Sequence, residues 1–495
     1  MELIRDTFRY RRLTAEAYTT QEEAAEAVVA DALPDAARVV DTVATVTVRD
    51  RLPREGAAEI RASVRVYVLC IEEGTERLMR VAVPLSFTHK VELPGLATDA
   101  ELMCDAVLLN ADARLLNPRK LSVRAELRFH TRAYTDAEEL VTRELQGDTS
   151  MQTQQISLPV CATAQTGTKT FTVIEELPIA SIDFAEPLTQ TATLVLESAK
   201  CGPGRVTLQG HANVRVLYND SAVLVRAYRA EVPFEQVAEF PGVTAEMRCD
   251  AVIGLKSTEI EPATDVGGQK VLTVSLGIHA ETAFYETRTV TLLSDAYSTT
   301  YETEITTASF SYEYPSEPWK ESVAVDEKIE TASPVGRVID WQLTVPGGIE
   351  VEPGSAQFRV LLRALYAGDD GMLYGIVRRI PVAVSTPPCD TQDVRASISD
   401  ADVTGGEVLM VRFTLTVICT HGEEKTADMV TSAETGDEIV RDPDVALILR
   451  FVTDESLWAL AKAYHASQET IRSLNGLPED EDTLDAGAVL IPSVQ

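Results

Sequence analysis

The tetrapeptide Cys104-Asp105-Ala106-Val107 returns unchanged as Cys249-Asp250-Ala251-Val252. A Pro-Gly turn precedes each copy, at Pro94-Gly95 and Pro241-Gly242, and before it stands a proline expected to break a strand, Pro84 or Pro233. The offsets are 249 − 104 = 145, 241 − 94 = 147 and 233 − 84 = 149 residues. Three landmarks in one order, with a drift of only four residues between them, mark an internal duplication. Duplicated units point to assembly or binding before catalysis.

Periodicity extends the pattern to a third unit. Each unit opens on a proline-led segment, Leu33-Pro34-Asp35, Leu177-Pro178-Ile179 or Ser333-Pro334-Val335. From there to the mid-unit proline (Pro84, Pro233, Pro381) is 50, 55 and 47 residues. Between them runs strict alternation: Val64, Val66 and Val68; Ala212, Val214 and Val216; Phe358, Val360, Leu362 and Ala364. Period-two patterning rich in β-branched residues is the mark of a half-buried strand. Each unit closes on a second such strand, at Leu121 to Phe129, Leu272 to Ile278 and Leu409 to Val417. Glu72-Glu73-Gly74, Asn219-Asp220-Ser221 and Gly368-Asp369-Asp370-Gly371 supply hairpin turns. Many short alternating strands favour a two-sheet sandwich, although a partly open barrel gives the same periodicity. The Glu22 to Leu33 stretch reads as a short acidic surface helix.

At 495 residues the chain exceeds one core. The formal net charge of −33 repels nucleic acid and anionic membranes. No window of about 18 uninterrupted apolar residues occurs and Met1 to Asp6 lacks a signal-peptide pattern, so a cytosolic protein is expected. Seven cysteines without a Cys-x-x-Cys pair read as small buried hydrophobes, and six scattered histidines show no zinc spacing. No P-loop or EF-hand pattern appears, so neither cofactor nor metal is expected. Cys104-Asp105 and Cys249-Asp250 have no repeat-equivalent histidine, which argues against thiol catalysis. The basic turn Asn117-Pro118-Arg119-Lys120 reads either as a contact with an acidic neighbour or as a solvated turn.

After Ser432 to Asp437, read as a hinge, the alternation gives way to helix. A strand, Leu447 to Val452, leads to Leu457, Leu460, Ala461 and Tyr464 at helical spacing, with Thr453 or Asp454 as cap. A second helix runs from Ser467 to Leu474 and stops at Asn475-Gly476, and Ala488 to Pro492 returns as a strand. The order is βααβ. It resembles a LysM domain, whose signature is matched by Asp454-Glu455-Ser456-Leu457-Trp458, Leu460-Ala461-Lys462-Ala463-Tyr464, Ile471 to Leu477 and Leu484 to Pro492. One departure is that Asp454 stands where the family has glycine. LysM domains cradle N-acetylglucosamine chains between two loops, which here carry Asp454-Glu455 and Pro478 to Asp482. From Asp442 to Gln495 there are ten acids and three bases. Dense carboxylates suit a neutral glycan poorly and bring a protein ligand forward.

The repeats resemble SPOCS domains, on Val83-Pro84-Leu85, Leu93-Pro94-Gly95 and Met103 to Val107, echoed at Val232-Pro233-Phe234, Phe240-Pro241-Gly242 and Met247 to Val252. Three SPOCS-like units followed by one LysM is the layout of the SipL family of clostridial spore-coat morphogenesis proteins. The expected fold is mainly β, three tandem antiparallel sandwich-like repeats followed by a small LysM domain. The expected units are 1–145 (with the helical lead-in), 146–297, 298–437 (degenerate) and 442–495. The resemblance implies a non-enzymatic scaffold in the mother cell at the forespore surface, its LysM domain contacting the coat-basement ATPase SpoIVA. It places the docking face at Asp454, Glu455, Ser456, Leu457, Trp458, Asn475 and Leu477. The alternative is a peptidoglycan-binding protein of cortex or wall that uses the same groove.

Overall fold

A computed structural model describes all residues except 76, 148–149, 180–181, 316, 347–349, 353, 388–391, 422, 479–481 and 494–495. Cys389 and the acids at 479–481 therefore lie outside the described residues. Unit 1 contains β1 (Glu2–Val28), β2 (Ala36–Arg54), β3 (Ala57–Glu72), β4 (Leu78–Glu92), β5 (Glu101–Asn117) and β6 (Lys120–Gln146). Strands β2, β3 and β4 form one antiparallel meander, while β5 and β6 join β1 in a second sheet. The two sheets face each other. Val64, Val66 and Val68 of β3 pack in one buried cluster with Leu121, Val123, Ala125, Leu127 and Phe129 of β6.

Unit 2 repeats this order with β7 (Met151–Pro178), β8 (Glu186–Gly202), β9 (Arg205–Asn219), β10 (Val225–Glu239), β11 (Arg248–Thr264) and β12 (Lys270–Ser298). Unit 3 splits its first and last strands. It comprises β13 (Tyr301–Tyr314), β14 (Trp319–Ile329), β15 (Val335–Thr344), β16 (Glu350–Glu352), β17 (Ser355–Gly368), β18 (Leu373–Ser385), β19 (Gln392–Thr404), β20 (Leu409–His421) and β21 (Glu423–Glu438). Its core joins Phe358, Val360, Leu362 and Ala364 to Leu409, Val411, Phe413 and Leu415, the residues whose alternation marks the unit in the sequence. The architecture is the expected mainly β one, in sandwiches.

Four sequence expectations need correction. Pro84, Pro233 and Pro381 interrupt nothing: each lies inside β4, β10 or β18, opposite Arg65, His211 or Arg359. All three strands are sheet edges, where a missing N–H faces no neighbour. The stretch from Glu22 is no helix but the end of β1, paired with β6 down to Val28–Lys120. Ala25 and Ala27 reach the core, so sheet pairing overrides the helix propensity of Glu and Ala. Ser432 to Asp437 is strand, part of β21 paired with β13. The strands are also not all short: β1, β6, β7 and β12 run 27, 27, 28 and 29 residues.

The long strands serve two structures. One half of each builds a sandwich, and the other half, with β13 and β21, builds a stem of three antiparallel pairs, β1–β6, β7–β12 and β13–β21. A register shift falls at the border in both complete units, at Leu13/Ala15 beside Tyr134 and at Phe284/Tyr285. Val141, Val160, Val290, Leu292 and Phe310 fill one layer of the stem, with Leu145, Leu293, Ala296 and Val430 in the next.

The three sandwiches close into a ring. Leu69, Leu217 and Leu365 share one buried cluster, and 217 − 69 = 365 − 217 = 148 residues. Alternation fails here: Tyr67 to Ile71 is buried without a break, because both faces of the strand end are covered. Around these leucines each unit leans on another in the same sense. Arg38 donates to the Leu373 carbonyl (2.9 Å), Arg337 to the Val225 carbonyl (3.4 Å) and Asn219 to the Leu78 carbonyl (3.0 Å). Asp41 of unit 1 takes Arg363 of unit 3 (2.8 Å), and Asp340 of unit 3 pairs with Arg215 and Arg229 of unit 2. At the third such position stand Thr189 and Tyr67, both buried. Gly375 touches the unit 1 backbone so closely that a Cβ would sit 2.0 Å from the Val40 carbonyl oxygen.

The Asp41 carboxylate is buried, so Asp41→Ala leaves Arg363 uncompensated and should cost about 3–5 kcal/mol in denaturant melts. The paired change Asp41→Leu with Arg363→Met should cost far less. Burial alone would raise the Asp340 carboxyl, but Arg215, then Arg363 and Arg229, outweigh it and hold it below the usual range. A depressed carboxylate adds stability above its unfolded value of about 3.9, and that stability is lost as pH falls through the folded value. Below about pH 4 the melting temperature should drop, and less steeply in Asp340→Asn.

Candidate functional site

The last module consists of β22 (Leu447–Val452), β23 (Glu455–Ser456), α1 (Leu457–Ala463), α2 (Gln468–Asn475), β24 (Thr483–Leu484) and β25 (Gly487–Pro492). Leu457, Leu460, Ala461, Ile471 and Ile491 fill its core. Ser456 caps α1, accepting the Ala459 N–H at 3.5 Å, and so takes the place expected for Thr453 or Asp454. Ser467 caps α2, which ends at Gly476 with φ +64°. Asp454 has φ +51°, a left-handed turn of the kind that favours glycine and that aspartate tolerates better than most residues.

The structure brings the two expected loops together. Leu457 N–H donates to the Asp482 carbonyl at 2.9 Å, and Glu455 and Ser456 pair with Leu484 and Thr483. Arg472 fastens the second loop through Asp482 (2.7 Å) and the Pro478 carbonyl (2.6 Å). Within this groove Asp454 and Ser456 are exposed, and Glu455 is half-buried against Arg450 at 3.3 Å. Leu457 is core. Leu477 packs on that core. Asn475 spends its amide inside the module, donating to the Ile471 and Leu490 carbonyls and accepting from Leu490 N–H, each at 2.7 Å.

Trp458 faces the stem. Its Nε1–H donates to Asp295 at 2.8 Å, the same carboxylate that takes Lys462 Nζ at 2.7 Å. Tyr297 meets the indole edge-on, centroids 5.0 Å apart, and donates its hydroxyl to the Ala466 carbonyl at 2.7 Å. Burial, then the Asp295 charge, push that hydroxyl's pKa up, so it stays a donor. Arg441 ties the Thr299 and His465 carbonyls together at 2.6 Å each. Trp458 was expected in the docking face, but its stem partners Asp295 and Tyr297 escaped the sequence reading, since Asp295 lies 163 positions before Trp458 and nothing local marks it.

Two other candidates lose their chemistry. Burial pushes the Cys104 thiol up to about 12, far from a nucleophile at neutral pH. Arg119 turns inward to the Leu33 and Ala30 carbonyls, Asp31 and Asp35, where it pins the β1–β2 connection. A cavity of about 290 Å³ lies where the units meet, lined by Val46, Leu194, Ile253 and Gln342 among others. Among the described residues no cluster of His, Cys, Asp and Glu could hold a metal, and no helix is long and apolar enough to cross a membrane. Asp295→Ala would strip Trp458 and Lys462 of their acceptor. Hydrogen exchange should show α1 losing protection, with docking weaker by about 1–3 kcal/mol.

Comparison with known proteins agrees with this anatomy. Residues 187–262, from β8 to β11 of unit 2, match the family model described as SipL, SPOCS domain. Residues 451–491 match the LysM domain model. Both are binding domains without catalytic function. No curated protein and no solved structure matches the chain. The chain thus carries a SPOCS domain of the SipL type in its second unit and a LysM domain after its third.

Proposed function

We propose that this chain is a non-enzymatic scaffold of endospore coat assembly that docks onto the coat-basement ATPase SpoIVA through its LysM domain, at the forespore surface within the mother cell. The observation that carries this reading is an apolar stripe on the outer face of β22. Leu447, Leu449 and Phe451 are 49%, 59% and 78% exposed, while their neighbours Ile448 and Val452 turn to the core. Leu490 and Ala488 lie opposite Leu449 and Phe451 on β25 and widen the stripe. Such a patch on a module already anchored by α1 suits a protein partner. Acids stand at both ends, Asp442 and Asp444 before it and Asp454 after it, which favours a basic partner and disfavours a second copy of a chain with net charge −33.

Units 1 and 3 then act as SPOCS-like platforms beside unit 2, and modest contacts from separate modules add through effective concentration. The LysM match itself favours the second reading, peptidoglycan recognition in the groove around Asp454 and Glu455. Full-length protein should bind purified SpoIVA. The double variant Leu449→Ser/Phe451→Ser should weaken that binding at least tenfold, about the 1.4 kcal/mol expected for losing an aromatic anchor. Unchanged binding would remove the stripe from the interface. Saturable sedimentation with peptidoglycan, blocked by chito-oligosaccharide, would establish the glycan reading instead.

A further inference from the structure

The three units leave a hollow between them, the cavity of about 290 Å³. Equivalent edge strands line it: β2 of unit 1 between Thr42 and Val48, β8 of unit 2 between Thr191 and Leu194, and β15 of unit 3 through Gln342 and Thr344. Most of the lining is apolar, and Val46, Val107, Leu194 and Ile253 on it are only half-buried. One side is charged, where Arg51, Asp105, His279 and Glu281 stand. Arg51 is spent on Glu281 and on the Cys104 carbonyl, the latter at 3.0 Å. Glu281, its side chain 2% exposed, also accepts the Cys104 N–H at 2.8 Å. Arg363, another lining residue, is spent on Asp41. Asp105 has no such match: among the described residues it forms no salt bridge. Its counterpart in the repeated tetrapeptide, Asp250, is held by Arg132 of unit 1 at 3.5 Å and by Arg395 of unit 3.

We infer that this cavity binds a small amphipathic cation, its ammonium group on Asp105 and its apolar body among Val46, Val107, Leu194 and Ile253. Two carboxylates, Asp105 and Glu281, face one guanidinium, Arg51, and that guanidinium is already engaged. A carboxylate left unmatched away from bulk water is costly, and an ammonium group brings it both the opposite charge and N–H donors. Burial, then the Glu281 charge, push the Asp105 pKa up, while His130, the Ala106 N–H and Arg132 offset this in part. A bound cation would restore the ionised form. An anionic ligand would meet two carboxylates and no spare cation, and a wholly apolar one would leave Asp105 as it is. The volume lies at the lower end for small-molecule pockets, which suits a short chain and is too little for a glycan strand or a peptide. Residues of all three units make the site, so it exists only while the ring is closed. It is independent of which partner the LysM domain binds.

The test titrates the full-length protein with n-hexylamine by isothermal calorimetry, at physiological salt so that attraction to the acidic surface is screened. Expected is saturable binding at a single site per chain, with hexanoate and hexanol weaker by about tenfold or more. Asp105→Asn should weaken hexylamine about tenfold, the loss of one charge-assisted contact. Gly254→Leu should do at least as much by filling the cavity. Gly254 lines it, and a Cβ there would meet no atom within 4 Å, so the backbone can accept the side chain. Asp136→Asn, at an acid 87% exposed and outside the cavity, should leave the affinity as it was. The inference is overturned if hexylamine shows no saturable binding, or if hexanoate or hexanol binds as tightly. It is equally overturned if Asp105→Asn and Gly254→Leu leave the affinity unchanged, or if Asp136→Asn weakens it as much as they do. The three ligands on the wild-type protein decide the matter even if a variant fails to fold.

Discussion

Three leucines, 69, 217 and 365, meet where the three sandwiches close on one another, and the remaining architecture follows from that contact. Each sits at the end of a meander strand whose other face already belongs to its own sandwich. A unit standing alone would expose its leucine, at a cost of about 1.5–3 kcal/mol apiece. Ring closure removes the cost three times over, and the Asp41–Arg363 and Asp340–Arg215 pairs fix the direction in which each unit leans. Those pairs lie in buried ground, where an unmatched charge is expensive. They therefore select one mode of packing more than they strengthen it. The stem joins the same three units again, β7 pairing with β1 at Thr163–Arg11 and with β13 at Cys161–Glu313, so a single chain achieves what symmetric trimers achieve with three. It does so while carrying a net charge of −33, which would oppose any association left to diffusion.

Much of this was legible in the residues, and the boundary of legibility has a physical cause. Alternation at Val64 to Val68 and at Phe358 to Ala364 reports one covered face, so strands and cores could be read from it. The unbroken buried run Tyr67-Val68-Leu69-Cys70-Ile71 reports two covered faces. It was the signal for the ring, hidden because a run so short at a strand end resembles any turn approach. The tail of β1 misled for a different reason. Glu22 to Val28 has helical composition, and only pairing with β6, a hundred residues on, makes it strand. The prolines misled because edge position is a property of the sheet, not of the sequence. In the LysM module, helix spacing and the Asn475-Gly476 stop were local and readable. The bonds of Trp458 and Lys462 to Asp295 were not.

That joint bears on function. A LysM domain tethered by a loose linker would sample many orientations, whereas here Trp458, Lys462 and Arg441 hold it against the end of the stem. Its groove and its apolar stripe are thereby presented in fixed directions, at the far end of the body from the ring. Asp454 puts a carboxylate on the groove from a left-handed turn at φ +51°. The proposed scaffold role calls for rigidity of this kind more than for reactive groups. The buried, protonated thiol of Cys104 fits that economy.

The central claim, that three sandwiches form a closed ring with the LysM domain seated on its stem, is tested most directly by small-angle X-ray scattering on the monomeric protein. Closure predicts a scattering curve that matches this structure, with a largest dimension set by strands of 27 to 29 residues, roughly 90 Å at about 3.3 Å per residue. A distance distribution trailing far beyond that length, as from units lying in a string, would contradict the account.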